Sequence, residues 1–291
     1  MALMETPPAG GVAGLKITII GMGLMGGSFA KALKRGTGAV VTGFGRNMDA
    51  LQDIVDEGIL DHATTDPAEA VRDADLTVVC LNPDVAVRFI ADNMPHFKSG
   101  SVVTDICGVK QPVIDGIIPH LRPDVGFVPA HPMAGRERAG YQYSVETLFD
   151  NCNYIVTPLA LNSVYHIDMV KRFAGSLGAG TIVLAEPGEH DEMIAFTSQL
   201  PHALAVAYVL AAGARDPLPF SAGSYRDVSR VAAINAPMWA ELFVENQPAL
   251  LAEMKALQSV LDELERLLAA GDRQGLTGLL AQAAKTKEER L

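Results

Sequence analysis

Short apolar, β-branched runs recur through the first 186 residues, separated by stretches whose apolar positions fall every three or four residues. The runs are LKITIIG (15–21), AVVTGFG (39–45), DLTVVCL (75–81), SVVTDI (101–106), VGFVPA (125–130), NYIVTP (153–158) and GTIVLAE (180–186). Brevity and β-branched content read as buried or half-buried strands. Segments between them, such as MDALQDIVDEG, read as amphipathic helices. That alternation predicts βαβ units and therefore an α/β fold, a mostly parallel sheet with helices on both faces. After about residue 187 the strand signals stop. EHDEMIAFTSQLPHALAVAYVLAAGA and PMWAELFVENQPALLAEMKALQSVLDELERLLAAGD both keep helical periodicity, so the second half is expected to be all-helical. Its apolar content exceeds one amphipathic stripe, as for helices buried on several sides or against a second subunit.

Composition narrows the partners. The 291 residues carry a formal charge of −11, and a nucleic-acid backbone would be repelled. Cys80, Cys107 and Cys152 show neither a disulfide framework nor zinc-ligand spacing, which points to a reducing compartment and no metal. The leader MALMETPPAGGVAG is no signal peptide and is expected to be flexible. ALAVAYVLAAGA (203–214) is too short for a bilayer, so a soluble, cytoplasmic protein without a membrane partner is expected.

The first strand runs directly into Gly21-x-Gly23-x-x-Gly26, with Leu24 and Met25 inside the motif. In strand–turn–helix context Gly21 permits the bend, Gly23 lets backbone approach a pyrophosphate, and Gly26 lets helix and strand pack closely. The fold is therefore expected to be Rossmann-type: leader over 1–14, dinucleotide-binding domain over 15–186, helical substrate-binding and dimerisation domain over 187–291. The second strand ends in TGFGRN. Gly45 stands where an NAD site places its acidic residue, and Arg46 follows it. A small residue beside an arginine accepts a 2′-phosphate, so NADP is favoured over NAD. The alternative is an Arg46 that stacks on adenine or faces solvent.

Ligands of open parallel sheets lie at the carboxyl ends of the strands. Two loops there carry chemistry: Asp105-Ile-Cys107-Gly108-Val-Lys110, and HPMAGRE beginning at His131. An imidazole in that place can accept a proton from a substrate hydroxyl. Lys110 either approaches the coenzyme or caps a helix.

HPMAG with Glu137 beyond it, the opening IIGMGLMGGSFAKAL, TSQLPHALA (197–205) and SYRDVSRVAAINAPMWAELFVEN (224–246) together resemble the prephenate/arogenate dehydrogenase family of tyrosine biosynthesis. The resemblance spans residues 15–285 and keeps the family's motif order. It implies NAD(P)-dependent oxidative decarboxylation of prephenate to 4-hydroxyphenylpyruvate, or of arogenate to tyrosine. By the same resemblance His131 bonds the substrate's 4-hydroxyl and Arg230 binds a carboxylate. Arg226 is a second cation lining the site, His202 lies near the substrate side chain, and Glu137 pairs with the arginine and gates access. Many relatives carry serine where this chain has Gly108; Cys107 or a water is the expected substitute. Trp239 reads as a packing anchor, and a homodimer through the helical half is expected.

Other readings stay open. Arg226 and Arg230, four apart, would also suit an exposed helical face, and His202 a satisfied core histidine. GMGLMG occurs in β-hydroxyacid dehydrogenases too, although the catalytic lysine of that group has no counterpart in GEHDEMIAFTSQLPHA. A module that senses NAD(P) without turnover is the non-enzymatic alternative.

Overall fold

The apolar runs of the first half become the strands of a parallel sheet, and the periodic segments become the helices that cover it. The protein is described from a computed structural model, over residues 2–136, 138–211, 213 and 218–289. Its first half runs β1 (Leu3–Glu5), β2 (Lys16–Ile20), α1 (Leu24–Lys34), β3 (Val40–Phe44), α2 (Met48–Asp56), β4 (His62–Thr64), α3 (Pro67–Arg72), β5 (Leu76–Val79), α4 (Pro83–Asn93), β6 (Val102–Asp105) and α5 (Gln111–Ile117). Then come β7 (Gly126–Phe127), β8 (Ala130–Pro132), β9 (Asn153–Val156), α6 (Val164–Ser176) and β10 (Thr181–Leu184). The remainder is helical: α7 (Pro187–Ile194), α8 (Leu200–Ala211), α9 (Gly223–Ser229), α10 (Ala236–Glu245), α11 (Gln247–Ala269) and α12 (Arg273–Glu289).

Six strands form one parallel sheet in the order β4-β3-β2-β5-β6-β7. Strand order reverses between β2 and β5, which opens a crevice at their carboxyl ends. Alternation sends side chains to two cores. Ile17 and Ile19 of β2 pack with Phe29, Phe149 and Phe173, whereas Ile20, Val79 and Val103 pack with Ile90, Val113 and Phe127. Phe29 stacks on Phe149 with ring centroids 4.3 Å apart.

The run VGFVPA does not form one strand. Val128 still donates its N–H to Val103 of β6, but Pro129 accepts from Thr157, and β8 pairs antiparallel with β9. The chain thus leaves the main sheet at Val128–Pro129 and enters a second, four-stranded sheet of order β1-β10-β9-β8. His131 is therefore a strand residue, opposite Ile155, rather than the first residue of a loop. The leader also departs from expectation. Leu3–Glu5 pair antiparallel with Ile182–Leu184, and Glu5 meets the Lys171 ammonium at 2.6 Å. An edge strand needs only backbone partners, which its polar and exposed sequence does not advertise.

Residues 187–211 run as one helix through a π turn at Ala195–Gln199. By length and composition alone this helix could cross a membrane, which the shorter run 203–214 did not suggest. It buries His190, Asp191 and Gln199 against protein partners, while much of its apolar surface, including Met193, Phe196 and Leu210, stays exposed.

Phe29→Ala removes the ring joining α1 to both sheets and is expected to lower unfolding free energy by about 3–5 kcal/mol. Urea unfolding measures this; a loss below about 1 kcal/mol would place the ring outside the effective core.

Candidate active site

The glycine-rich turn sits at the sheet's switch point. Gly21 has φ +94°, and a Cβ there would stand 2.7 Å from the Cys80 carbonyl oxygen at the end of β5. A Cβ on Gly26 would collide with the Gly21 carbonyl, so helix and strand can approach only through glycine. Gly23 is different: a Cβ there would enter open space. Gly23 is also the N-cap of α1, with no side-chain cap and no acidic residue in the first turn, which begins with Leu24 and Met25. The first amides of α1 and its dipole are left for an anion. These features fit a dinucleotide pyrophosphate. At the end of β3, Arg46 is exposed, and a Cβ at Gly45 would make only ordinary contact with Leu51 at 3.4 Å. Packing at the Cβ position therefore leaves room for a side chain at 45.

Next to this crevice a polar cluster is built from both halves. The Lys110 ammonium, wholly buried, donates to Asp105 Oδ2 (2.5 Å) and to the Ala130 carbonyl (2.6 Å). It does not reach outward to a coenzyme; Lys110 is the N-cap residue of α5, although its ammonium makes no capping bond. Ala130 precedes His131, so this ion pair fixes the strand that presents the imidazole. His131 Nδ1 lies 3.0 Å from His190 Nε2, and His190 Nδ1 lies 2.7 Å from Asp191 Oδ1. Asp191 also accepts the backbone N–H of Lys110 (2.7 Å) and of Gln111 (2.8 Å) at the start of α5. Asn246 donates to the Asp191 carbonyl and to Gln199 Oε1, both at 2.8 Å. Burial, then His190, then the Lys110 charge push the His131 pKa well down, so the ring is neutral. Burial also lowers His190, against the pull of Asp191.

The sequence reading omitted His190 and Asp191. Nothing local marks them, since PGEHDEMI is a polar helix start and their partners at Lys110 and Gln111 are distant in sequence.

Gly108 borders His131, since a Cβ there would come 4.0 Å from His131 Cε1 and 3.4 Å from Leu242 of α10. Cys107 does not replace the absent serine. Its thiol is buried against the Leu81 carbonyl at 3.7 Å, and burial, with Asp105, holds its pKa well up. On the helical side His202 stacks on Trp239 (centroids 3.8 Å), and its Nδ1 meets the Ser198 carbonyl at 2.8 Å. Trp239 is thus more than a spacer between helices. It stands one turn before Leu242, which connects the His202–Trp239 pair to the Gly108–His131 corner. Arg226 lies in the last turn of α9, and Arg230 is its C-cap and opens the turn Arg230–Ala232, which packs on α8; both are exposed. Glu137 lies outside the described residues.

Where the two halves meet, three carboxylates gather. Glu241 Oε1 accepts the Asp84 N–H at the start of α4 (2.9 Å), and oxygens of Asp84, Glu241 and Glu245 lie within 4.8 Å of one another. Glu245 Oε2 is buried without a partner. Burial, then Glu241, Asp84 and Asp191, push its pKa up to about 7.

A parallel sheet of this order, with its glycine turn and a neutral imidazole at the crevice, defines a dinucleotide-dependent oxidoreductase. A family model described as "Prephenate dehydrogenase, nucleotide-binding domain" matches residues 29–183, and one described as "Prephenate dehydrogenase, dimerization domain" matches residues 186–282. The chain belongs to the prephenate dehydrogenase family and is an NAD(P)-dependent enzyme of that class. It is 32% identical to a cyclohexadienyl dehydrogenase of Zymomonas mobilis, over 93% of this chain and 94% of that one. Among solved structures it resembles an Aquifex aeolicus prephenate dehydrogenase in complex with hydroxyphenyl propionate and NAD+ (26% identity, TM-score 0.86, 95% and 98% of the chains). It also resembles a Synechocystis arogenate dehydrogenase (26% identity, TM-score 0.81, 95% and 100%).

The acidic trio makes a pH prediction. A carboxyl whose folded-state pKa stands above its unfolded value binds its proton more tightly when folded, so its ionisation opposes folding as pH rises from about 4.5 to about 7. Glu245→Gln is therefore expected to raise Tm relative to the parent at pH 8 and to change it little at pH 5. Calorimetry at both values checks this, and an equal difference at both would contradict it.

Proposed function

We propose that the enzyme removes hydride from the C4 carbinol of prephenate, with loss of CO₂, to give 4-hydroxyphenylpyruvate, and that arogenate is the alternative substrate, giving tyrosine. One observation carries this reading: the neutral imidazole of His131 stands at the mouth of the dinucleotide crevice with Nδ1 engaged, leaving Nε2 for a substrate. The similarity to cyclohexadienyl, prephenate and arogenate dehydrogenases supports it.

In this mechanism His131 Nε2 accepts the proton of the 4-hydroxyl as the carbinol carbon is oxidised. The nicotinamide ring, when bound, supplies the acceptor for the hydride leaving that carbon. The ketone so formed withdraws electrons from the ring, and departure of the ring carboxylate as CO₂ restores aromaticity. Arg230 pairs with a substrate carboxylate, Arg226 adds a second positive charge, and two adjacent cations favour a dianionic ligand. His202, held on Trp239, faces the substrate side chain. The amides of Gly23, Leu24, Met25 and Gly26 at the first turn of α1 hold the pyrophosphate, while Gly21, whose N–H goes to the Phe44 carbonyl, makes the bend. Arg46 takes the 2′-phosphate, which makes NADP⁺ the preferred coenzyme. Exposed Leu210 (74%), Val244 (74%) and Leu268 (65%) of the helical half support burial against a second copy in a homodimer. The free cysteines suit the cytoplasm.

Turnover of prephenate and of arogenate, each with NADP⁺ and NAD⁺, tests the proposal. Activity with at least one substrate is expected, and His131→Asn should lower kcat by about 10²–10⁴-fold with little change in KM. Activity with neither substrate would overturn the assignment. Arg46→Ala should raise KM for NADP⁺ by about tenfold or more and leave NAD⁺ nearly unchanged, since the 2′-phosphate is what the guanidinium binds. Equal effects on both coenzymes would reject the NADP preference.

A further inference from the structure

We propose that His190 and Asp191 are positioning residues that fix the tautomer of His131, so that its outward nitrogen always presents a lone pair. The inference rests on the proposed role of His131 and extends it to the partners behind the ring.

The reasoning starts from the end of the chain that has no freedom. Two backbone N–H groups, from Lys110 and Gln111, donate to the two carboxylate oxygens of Asp191. A peptide N–H can only donate, so Asp191 is an acceptor on both oxygens. His190 Nδ1, 2.7 Å from Oδ1, must then carry a proton. In the neutral ring His190 Nε2 is left with a lone pair, and it can take only a donor from His131 Nδ1 at 3.0 Å. His131 therefore carries its proton on Nδ1. Nε2, the nitrogen turned from this chain, is the basic one. The opposite tautomer would face the substrate hydroxyl with an N–H, which cannot accept a proton.

The same chain spreads charge. When His131 takes a proton at Nε2, the new imidazolium keeps its Nδ1–H on His190, whose own Nδ1–H points at the Asp191 carboxylate. The positive charge thus develops two hydrogen bonds from a fixed anion, in a buried setting where such bonds are strong. The whole device bridges the halves of the molecule. His131 comes from the second sheet, His190 and Asp191 from α7, and the amides from α5. Asn246 at the start of α11 holds the Asp191 carbonyl. The base is in its working form only when the helical half is docked.

The test uses the full chain uniformly labelled with ¹⁵N at histidine. In the parent protein His131 Nε2 is expected to show the shift of an unprotonated nitrogen and Nδ1 that of a protonated one. Asp191→Ala removes the acceptor that holds the proton on His190 Nδ1 and frees the chain, so the His131 proton should no longer be confined to Nδ1 and protonated Nε2 should appear. kcat should fall by about 10²–10⁴-fold with substrate KM within about threefold, as expected when a base loses the group that holds its tautomer. His190→Gln can still accept from His131 and donate to Asp191, and should retain more turnover than His190→Leu. The His190 pair leaves the Asp191 amide contacts intact and decides the matter if Asp191→Ala does not fold. An unchanged His131 tautomer in Asp191→Ala, or equal rates for His190→Gln and His190→Leu, would overturn the proposal. The nitrogen shifts are read without substrate, so they answer separately from whether prephenate or arogenate is turned over.

Discussion

The arrangement turns on one buried cation. Lys110 has no access to solvent, and its ammonium is satisfied by the Asp105 carboxylate and the Ala130 carbonyl. Asp105 closes β6 and also accepts the Cys107 N–H, so the loop carrying Gly108 hangs from the same carboxylate. A buried ion pair adds little net stability over apolar packing, but losing one partner strands a charge at about 3–5 kcal/mol. What the pair secures is position. It holds β8 at a fixed distance from the main sheet, and the backbone N–H of the same lysine meets Asp191 of the helical half. The dinucleotide crevice, the imidazole and the helical wall are thereby registered to one another through a single residue.

Much of the architecture was legible because its physics is local. The strands of the main sheet announce themselves as short apolar runs, and the helical half by periodicity. What failed to show were features decided by distant partners. VGFVPA is a uniform apolar stretch, and nothing in it tells that Val128 bonds to β6 while Pro129 bonds to Thr157, just beyond β9. His62–Thr64 is too short and mixed to read as a strand, yet it completes the sheet edge by pairing with Thr42–Phe44. Leu3–Glu5 becomes a strand only because Ile182–Leu184 offers an open edge.

The site divides in the same way. Glycines of the turn and His131 stand in recognisable local contexts, and the structure puts them around one crevice. The burial of Lys110 is not legible locally, because its two acceptors lie five and twenty residues away in sequence. Cys107 looked available to supply a missing hydroxyl, but the fold turns its sulfur to the Leu81 carbonyl. His190 and Asp191 read as the start of a helix, and their meaning comes from amides some eighty residues distant.

The π turn at Ala195–Gln199 has a geometric result of its own. In a regular α-helix each residue advances about 100°, so side chains twelve apart, such as His190 and His202, would diverge by about 120°. An i→i+5 turn winds more slowly and takes back part of that angle. The widened turn therefore works as a phase adjuster, rotating the stacked imidazole toward the wall already occupied by the other histidine. Shortening the helix by one residue there would leave both rings chemically intact but aimed at different walls.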